Sequence, residues 1–305
     1  MLRAGVDVGG TRIKSVLCDA DGSVLLSRTD ITPSRPGEGI VDVVADVVAA
    51  LTADAASSGH DGTVGAVGVV VPGIVDEAKG LASFSANLGW RDLPLRDRLS
   101  ERLGVPATLG HDVRAGLLAE HRLGAAQGVA DVLFVPLGTG IASALLVHGT
   151  VVRGNDWTGE IGHVTVDPGG PRCGCGRLGC LEAVASAGAI GRAWRDAGHD
   201  GDAVDLVRTL DDPAADSGSR SDARQIWATA IDALVRVLAS ACAAAGTRLV
   251  LVGGGLVLAG DVLLTPLREG LTAALGHDQT TTAPAALGDR AAALGASLLA
   301  MEAAP

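Results

Sequence analysis

Aromatic side chains are scarce in this 305-residue sequence, which contains no tyrosine, two phenylalanines and four tryptophans. A core without many rings has to be filled by alanine, valine and leucine, and these small side chains must pack tightly to fill it. Basic residues are also in the minority, with 24 lysines and arginines against 35 aspartates and glutamates. The resulting net charge of −11 argues against a nucleic-acid surface and against binding to anionic membranes.

Long apolar runs are absent as well. The longest candidate, Leu249 to Gly260, is interrupted by three consecutive glycines, whereas a membrane-spanning helix needs about 20 apolar residues. The N-terminus shows neither the apolar segment nor the cleavage site of a secretory signal. The Gly-x-x-x-x-Gly-Lys-Ser/Thr element of P-loop proteins is missing too. We therefore expect a soluble, cytoplasmic protein that is not a P-loop NTPase.

The sequence contains a weak internal repeat, in which a pattern of strand, glycine turn and strand occurs twice. Near the start, the turn Gly9-Gly10 separates two apolar strands. The same pattern recurs where Gly138-Thr139-Gly140 separates Val132–Leu137 from Ile141–Val147. Two such copies in a chain of this length predict an α/β fold of the actin-like, ribonuclease-H-like ATPase type, with two domains around a cleft.

The predicted fold also implies how the chain divides. We expect residues 1–112 plus 289–305 to form a small N-terminal domain, and residues 113–288 to form a larger C-terminal domain. An Ala-rich helix at Asp289–Ala300 is expected to pack back on the first domain. In the second domain, Gln225–Ala245 predicts a long, nearly all-apolar helix. The segment before it, Asp211–Asp222, is rich in Asp, Ser, Pro and Gly and is predicted to be a surface loop.

Glycine turns in both halves are candidates for binding phosphate. Glycine lets backbone N–H groups approach phosphate oxygens without obstruction by a side chain. A Gly-Gly turn taken alone is as well explained by a simple hairpin, but one turn in each half predicts a two-sided clamp. Thr11 can add a hydroxyl donor, and Asp7 is suited to reach, through water, the Mg²⁺ that accompanies ATP. The clamp residues are Asp7, Gly9, Gly10, Thr11, Gly138, Thr139 and Gly140.

One histidine and three cysteines within 18 residues suit a tetrahedral zinc site, formed by His163, Cys173, Cys175 and Cys180. Four protein ligands leave no position for water, so such a zinc is structural rather than catalytic. Its expected role is to lock the loop so that Glu160, His163 and Glu182 converge on a polar ligand. A disulfide is disfavoured, because Cys173 and Cys175 are too close in sequence and cytosolic thiols stay reduced. Three unrelated free thiols remain the alternative.

Taken together, these motifs resemble the signature of the ROK family, which joins sugar kinases to transcription regulators. The resemblance is carried by Gly159-Glu160-Ile161-Gly162-His163 and the cysteine-rich stretch that follows. It extends to Asp7-Val8-Gly9-Gly10-Thr11 and to Gly253-Gly254-Gly255, and so covers essentially the whole chain. It implies the actin-like fold and ATP as phosphoryl donor, with adenosine lying on the turn formed by Gly253, Gly254 and Gly255.

The resemblance also implies a catalytic base. In ROK kinases the base is an Asp that precedes a helix with Ala and Glu at matching spacings, and here that position is Asp112. A carboxylate there can accept the proton of a sugar hydroxyl during phosphoryl transfer. The helix N-terminus favours its ionised form. Judged by local sequence alone, a plain N-cap is the better explanation of Asp112, and its position in the family pattern is what favours the base.

Sugar contacts follow from the same resemblance, with two departures from the family pattern. The implied contacts are Asn87, His111, Asp112, Glu160, His163 and Glu182. The family usually has Asn where this chain has His111, and the loop between Asn87 and Trp90 is one residue shorter than usual. Histidine offers a different set of donors and acceptors from asparagine. Trp90 is expected to be a packing anchor.

The leading hypothesis is an ATP- and Mg²⁺-dependent hexose kinase of glucokinase type that phosphorylates the 6-hydroxyl. A rival is the same chemistry on kanosamine, N-acetylmannosamine or a C7-cyclitol. A rival of another class is a sugar-sensing regulator without its own DNA-binding segment, since the chain starts only six residues before Asp7. Polyphosphate as donor stays open. The family implies a homodimer or homotetramer, with a sugar as the small-molecule partner.

Overall fold

The computed structural model describes residues 1–60, 62–155 and 157–302. Its strands are β1 Leu2–Val8, β2 Arg12–Cys18, β3 Val24–Ile31, β4 Val64–Val71, β5 Ile74–Asp76, β6 Leu81–Ser85, β7 Trp90–Leu93, β8 Ala107–His111, β9 Val132–Pro136, β10 Ala144–Val147, β11 Thr150–Val151, β12 Leu249–Gly253 and β13 Thr281–Pro284. Its helices are α1 Ile40–Ser57, α2 Leu95–Leu103, α3 Asp112–Leu123, α4 Leu181–Ala185, α5 Ala187–Asp196, α6 Ala203–Asp211, α7 Ser217–Ala245, α8 Asp261–Leu275 and α9 Ala291–Glu302.

These elements fall into two compact units. Unit 1 comprises Met1–Gly124, Arg153–Trp157 and Leu287–Pro305, and unit 2 comprises Ala125–Val152 and Thr158–Ala286. In unit 1, α3 packs against α9. The domain boundary predicted after residue 112 stays a prediction, and residues 303–305 of the predicted small domain lie outside the described residues.

The predicted repeat is present in both units as the same sheet topology. Unit 1 has the strand order β3-β2-β1-β4-β8, and unit 2 has β11-β10-β9-β12-β13. In each, an antiparallel meander of three strands is extended by two parallel strands. The parallel strands β4 and β12 are buried apolar runs, as expected for strands covered on both faces. The glycine turns of the sequence therefore occupy equivalent places, after the first strand of each repeat.

Close packing of backbones replaces aromatic bulk in unit 1. Helix α9 lies directly on β1 and β4, as the sequence predicts. A Cβ added to Gly68 would collide with the carbonyl oxygen of Ala296, and one added to Gly5 would collide with that of Ala293. Gly295 of α9 lies equally close to the carbonyl of Ala115 in α3. Because small residues allow this approach, a sequence almost without aromatic residues still builds a filled core.

Helix α7 is longer than the sequence pattern predicts. The segment predicted as a loop, Asp211–Asp222, instead contains the end of α6 and the first turns of α7. The reason is Asp216, whose carboxylate accepts hydrogen bonds from the amides of Gly218 and Ser219 and so caps the helix start. Only a short connection between α6 and α7 is therefore irregular.

In the part of the chain that the structure describes, α7 is the one helix long and apolar enough to span a bilayer. Its most apolar window has a mean hydropathy of 1.5, and 56% of that window is buried within the protein. Trp227, Leu234 and Leu238 belong to the apolar core of unit 2. Helix α7 is accordingly the central core helix of this unit.

Candidate active site

The first glycine turn joins β1 to β2 in unit 1. The amide of Gly9 donates to the carbonyl of Arg12 at 3.0 Å, and the hydroxyl of Thr32 donates to the Gly9 carbonyl at 2.7 Å. A Cβ on Gly9 would lie 2.8 Å from the Arg12 carbonyl oxygen, so a side chain there would disturb the turn. Gly10 and Thr11 are exposed at its tip. Hydrogen bonds at Gly9 thus fix the base of the turn, while the residues at its tip, Gly10 and Thr11, face solvent.

Asp7 is half-buried on β1, directly opposite Lys14 of β2. Burial raises the pKa of its carboxyl from 3.8 to about 7, with further contributions from the negative charges of Asp112 and Asp289 and partial compensation by Lys14. A cation bound near this carboxyl group would lower its pKa again and so favour the ionised form. The electrostatics of Asp7 therefore suit a residue that faces magnesium.

Asp112 is the first residue of α3, directly after the end of β8. The N-cap of the helix is His111 rather than Asp112: its ring Nδ1 accepts a hydrogen bond from the amide of Val113 at 3.2 Å. One Asp112 oxygen also lies 2.8 Å from that amide, and the side chain keeps 27% of its exposure. The helix start thus leaves a solvent-accessible carboxylate beside a buried imidazole.

His111 is buried, with 4% of its surface exposed. Burial lowers the pKa of its imidazole below the usual 6.5, and the charge of Arg114 acts in the same direction, against opposing effects of Asp112 and Glu77. The ring is therefore neutral at physiological pH. Because Nδ1 accepts from the Val113 amide, the ring hydrogen lies on Nε2.

Glu77 joins this region and was not singled out by the sequence. It follows β5, and its carboxylate accepts hydrogen bonds from the backbone amide of His111, from Arg114 and from Arg153. An acidic residue directly after a three-residue strand gives no local signal of such contacts. One of its partners, Arg153, lies 76 residues further along the chain, so the sequence does not indicate this contact.

Asn87 lies at the exposed turn between β6 and β7. This turn is closed by the Gly89 amide donating to Ser85 at 2.9 Å. A Cβ on Gly10 would be 3.9 Å from the Cβ of Asn87, so the amide side chain starts beside the first glycine turn. Trp90 is buried in the core of unit 1, which confirms its expected role as a packing anchor.

In unit 2 the second glycine turn lies against Glu182, the acidic residue in the first turn of α4. The Glu182 carboxylate accepts from the amide of Ile141 at 3.0 Å, and a Cβ on Gly140 would lie 2.6 Å from it. The exposed Thr139 stands at the tip of the turn. A predicted phosphate turn and a predicted sugar contact are therefore held together by one hydrogen bond.

The third glycine turn is adjacent to the second. The Leu137 amide donates to the Gly253 carbonyl at 2.9 Å, and the Leu256 amide donates to the Leu137 carbonyl at 3.0 Å. Gly254 has φ +76° and lies so close to the Leu137 backbone that a side chain would collide with it. The helix after this turn is a short 3₁₀ helix, Gly255–Ala259. Gly255 itself faces open space.

Glu160 is positioned by the glycine before it and by a 3₁₀ turn after it, Ile161–His163. The Ser143 amide donates to the carbonyl of Gly159 at 2.8 Å, and Gly159 has φ +96°. One Glu160 oxygen lies 3.9 Å from the Nε2 atom of His163. The other ring nitrogen of His163 faces the opposite way, toward Cys173.

The predicted zinc ligands converge. The ligand atoms of His163, Cys173, Cys175 and Cys180 all lie within 4.8 Å of one another. His163 Nδ1 lies 3.6 Å from Cys173 Sγ, and Cys175 Sγ lies 3.6 Å from Cys180 Sγ. Tetrahedral zinc with its usual bond lengths separates such atoms by about 3.5–3.8 Å. The donor set and its spacing therefore fit zinc.

Comparison with known proteins agrees with these features. The ROK family model matches residues 3–303. The glucokinase of Thermotoga maritima is 36% identical over 282 residues, which is 87% of this chain and 85% of that protein.

Solved structures give the same result. A ROK hexokinase from Thermus thermophilus is 33% identical with a TM-score of 0.80, and the match covers 98% of each chain. A ROK family glucokinase from Streptomyces griseus, solved in complex with glucose and AMPPNP, is 31% identical with a TM-score of 0.80 and covers 99% of this chain and 100% of its own. The actin-like ATPase fold predicted from the internal repeat is confirmed.

Proposed function

The chain belongs to the ROK family, and we propose that it is an ATP-dependent hexose kinase that phosphorylates the 6-hydroxyl of glucose or a close analogue. The observation that carries the proposal is the Asp112 carboxylate, accessible at the N-terminus of α3. It is supported by 31% identity to a glucokinase solved with glucose and AMPPNP.

Asp112 acts as the general base. It accepts the proton of the 6-hydroxyl while the hydroxyl oxygen forms its bond to the γ-phosphorus and the bond from that phosphorus to ADP breaks. The N-terminus of α3 places backbone N–H groups and partial positive charge beside this carboxylate. The hydrogen bond from Val113 fixes one oxygen, so that the other is directed to the substrate.

The glycine turns bind the phosphates. Gly10 and Thr11 in unit 1, and Thr139 and Gly140 in unit 2, present backbone amides. Gly9 and Gly138 shape the turns, since their own amides donate to the carbonyls of Arg12 and Gly140. Gly253, Gly254 and Gly255 support the adenosine. Asp7 is the residue that would hold Mg²⁺, through water. When bound, this ion neutralises charge on the phosphates.

Zinc has a structural role in this proposal. His163 Nδ1 and the thiolates of Cys173, Cys175 and Cys180 hold it, and their distances fit tetrahedral ligation. The ion supplies rigidity to the loop, which leaves His163 Nε2 and Glu160 directed to the sugar together with Glu182.

The sugar contacts in unit 1 are Asn87 and His111. A neutral imidazole whose hydrogen lies on Nε2 donates one hydrogen bond, whereas asparagine both donates and accepts. Such a ring suits a hydroxyl or an acyl oxygen and does not suit an ammonium group. A kinase for a sugar altered near C3, such as N-acetylmannosamine or a C7-cyclitol, is therefore the second candidate, and kanosamine fits least well.

A sugar-sensing regulator is the candidate of another class. It would bind the sugar without turning over ATP. We further propose that the protein acts in the cytoplasm and assembles as a homodimer or homotetramer, as the family implies.

A coupled ADP-release assay with ATP and Mg²⁺ tests the proposal on glucose, mannose, N-acetylmannosamine, N-acetylglucosamine, kanosamine and a cyclitol, and on glucose with polyphosphate. Asp112→Asn should lower kcat at least 100-fold without changing the melting temperature. The control is Asp97→Asn, which removes another first-turn Asp, on α2. Full activity in Asp112→Asn would refute the base, and sugar binding without turnover would favour the regulator.

A further inference from the structure

The carboxylate of Glu77 is the meeting point of three donors in unit 1. Oε1 accepts from the His111 amide at 3.1 Å and from Arg114 Nε at 2.8 Å. Oε2 accepts from Arg153 Nε at 2.7 Å. The Glu77 side chain is 16% exposed and that of Arg114 is 7% exposed. In this charge cluster, the carboxylate and Arg114 are therefore largely desolvated, whereas the side chain of Arg153 is 54% exposed.

The cluster differs from the surface ion pairs of the same unit. The pairs Glu38–Arg98 and Asp42–Arg102 have exposures between 44% and 75%, and pairs of this kind contribute about 0–1 kcal/mol to stability. A buried carboxylate requires hydrogen bonds and an opposite charge. Burial alone would raise the pKa of Glu77, but Arg114, Arg153 and the His111 amide outweigh it and hold the pKa below its usual value. Glu77 is thus a fixed anion.

The donors lie on either side of Asp112. The amide of His111 belongs to the residue immediately before Asp112, and Arg114 lies two residues after it on the first turn of α3. A single oxygen of Glu77 therefore ties both ends of the short segment that carries the Asp112 carboxylate. Glu77 fixes where α3 begins and how its first turn is rotated.

We propose that Glu77 is a positioning residue, which aligns Asp112 with the sugar hydroxyl by holding the His111 amide and Arg114. This inference rests on the proposed role of Asp112 as base. A displacement of about 1 Å in a catalytic group can lower the rate about 100-fold. Glu77 does not touch the substrate and acts only through the start of α3.

The experiment compares Glu77→Gln with Glu38→Gln, an exposed glutamate of unit 1 that also pairs with an arginine. Glu77→Gln keeps the shape of the side chain and removes its charge. We expect kcat to fall 10- to 100-fold while KM for ATP changes less than twofold. Glu38→Gln should match the wild type.

Glu77→Asp and a double variant with Asp112→Asn test the same role independently. Glu77→Asp retains the charge but is too short to reach all three donors, so we expect an intermediate kcat even if Glu77→Gln folds poorly. In the double variant with Asp112→Asn, the effect of Glu77→Gln should disappear, since it acts through that carboxylate.

The outcomes separate the two proposals. If Asp112→Asn is inactive while Glu77→Gln and Glu77→Asp both retain wild-type kcat, the role of Glu77 is refuted and the base stands. If Asp112→Asn is fully active, the base itself is refuted. A lower melting temperature with unchanged kcat would make Glu77 a purely structural residue.

Discussion

Two regions that the proposed reaction needs are organised by different means. At the start of α3, the Glu77 carboxylate is balanced by Arg114 and Arg153 and bonded to a backbone amide. In the cysteine-rich loop, a histidine and three cysteines face one another, and their ligand atoms lie within 4.8 Å. At the start of α3, the negative charge of Glu77 is balanced by arginines of the protein itself. The cysteine-rich loop instead brings together four groups that can bind a metal ion.

The thiols of the cysteine-rich loop differ in how easily they lose their protons. Burial raises the pKa of Cys180 to about 12, and the backbone of Arg177 lowers the pKa of Cys175 to about 7. A metal requires all its thiol ligands as thiolates, so binding releases protons and strengthens as pH rises. We therefore expect hydrogen bonds within the protein to hold Asp112 in place without metal, whereas the cysteine-rich loop should depend on the ion.

The largest expected effect comes from removing the metal. Cys180→Ser should abolish stoichiometric zinc, measured by elemental analysis, and lower sugar kinase activity at least 100-fold, because His163 and Glu160 lose their fixed orientation. Treatment of the wild-type protein with a strong chelator should have the same effect. Cys242→Ala is the control, since that thiol is buried in α7 away from the loop and its loss should leave zinc bound.

Hydrogen exchange sharpens the contrast between the two regions. In the chelated protein the amide of Leu181, which donates to Val164 at 2.8 Å, should exchange much faster. The amide of Val113 at the start of α3 should keep its protection. Equal loss of protection at both places would contradict the idea that the first region is independent of metal, and unchanged protection at Leu181 would contradict the structural role of zinc.

The sequence predicts the features whose signal is local. The zinc ligands lie within 18 residues, and the glycine turns follow their strands directly, so both can be recognised without a structure. The repeated strand pattern predicts the shared sheet topology for the same reason. The scarcity of aromatics correctly indicates close packing, and Gly68 against Ala296 shows how it is achieved.

Long-range contacts explain what the sequence does not predict. Glu77 lies 34 residues before His111 and 76 before Arg153, and neither spacing belongs to a helical or strand period. The N-cap role falls on His111 although Asp is the more common type of cap, because His111 has the extended backbone of an N-cap residue (φ −86°, ψ 135°) and Asp112 is already the first residue of the helix. Helix α7 begins at Ser217 because Asp216 caps a stretch whose composition is typical of a loop.

A smaller effect is expected at the contact between the second glycine turn and Glu182. The Cβ of a Gly140→Ala variant would lie 2.6 Å from the Glu182 carboxylate. The flexible side chain can move away, but it then gives up its hydrogen bond from the Ile141 amide. We expect KM for the sugar to rise about 5- to 10-fold, which is roughly 1–1.4 kcal/mol and the usual contribution of one hydrogen bond.

Gly39→Ala is the matched control, because nothing lies within 4 Å of the Cβ it would add and its φ is −63°. Its kinetic constants should equal those of the wild type. A Gly140→Ala enzyme with unchanged KM for the sugar would show that the position of Glu182 does not matter for binding, and so would count against its proposed role.

The smallest expected effect concerns the pH dependence of stability at the start of α3. Burial lowers the pKa of His111, so the unfolded chain takes up a proton below about pH 6.5 while the folded protein does not. Stability is therefore lost as pH falls through this range. Asp7 acts in the opposite direction between pH 7 and pH 4, because its raised pKa lets the folded state bind a proton first. Substituting His111 alone separates its contribution to the pH dependence of stability from that of Asp7.

His111→Asn should therefore lose less stability than the wild type between pH 7 and pH 5.5, by about 1 kcal/mol, measured by urea unfolding of the chelator-free protein. The groups that face His111 are Asp112, Arg114 and Glu77, and all three remain in the variant. His148→Asn is the control, since that histidine is exposed at a turn. If both variants show the wild-type slope, the imidazole is not held neutral, and the balance of charge at the start of α3 is less complete than the contacts of Glu77 imply.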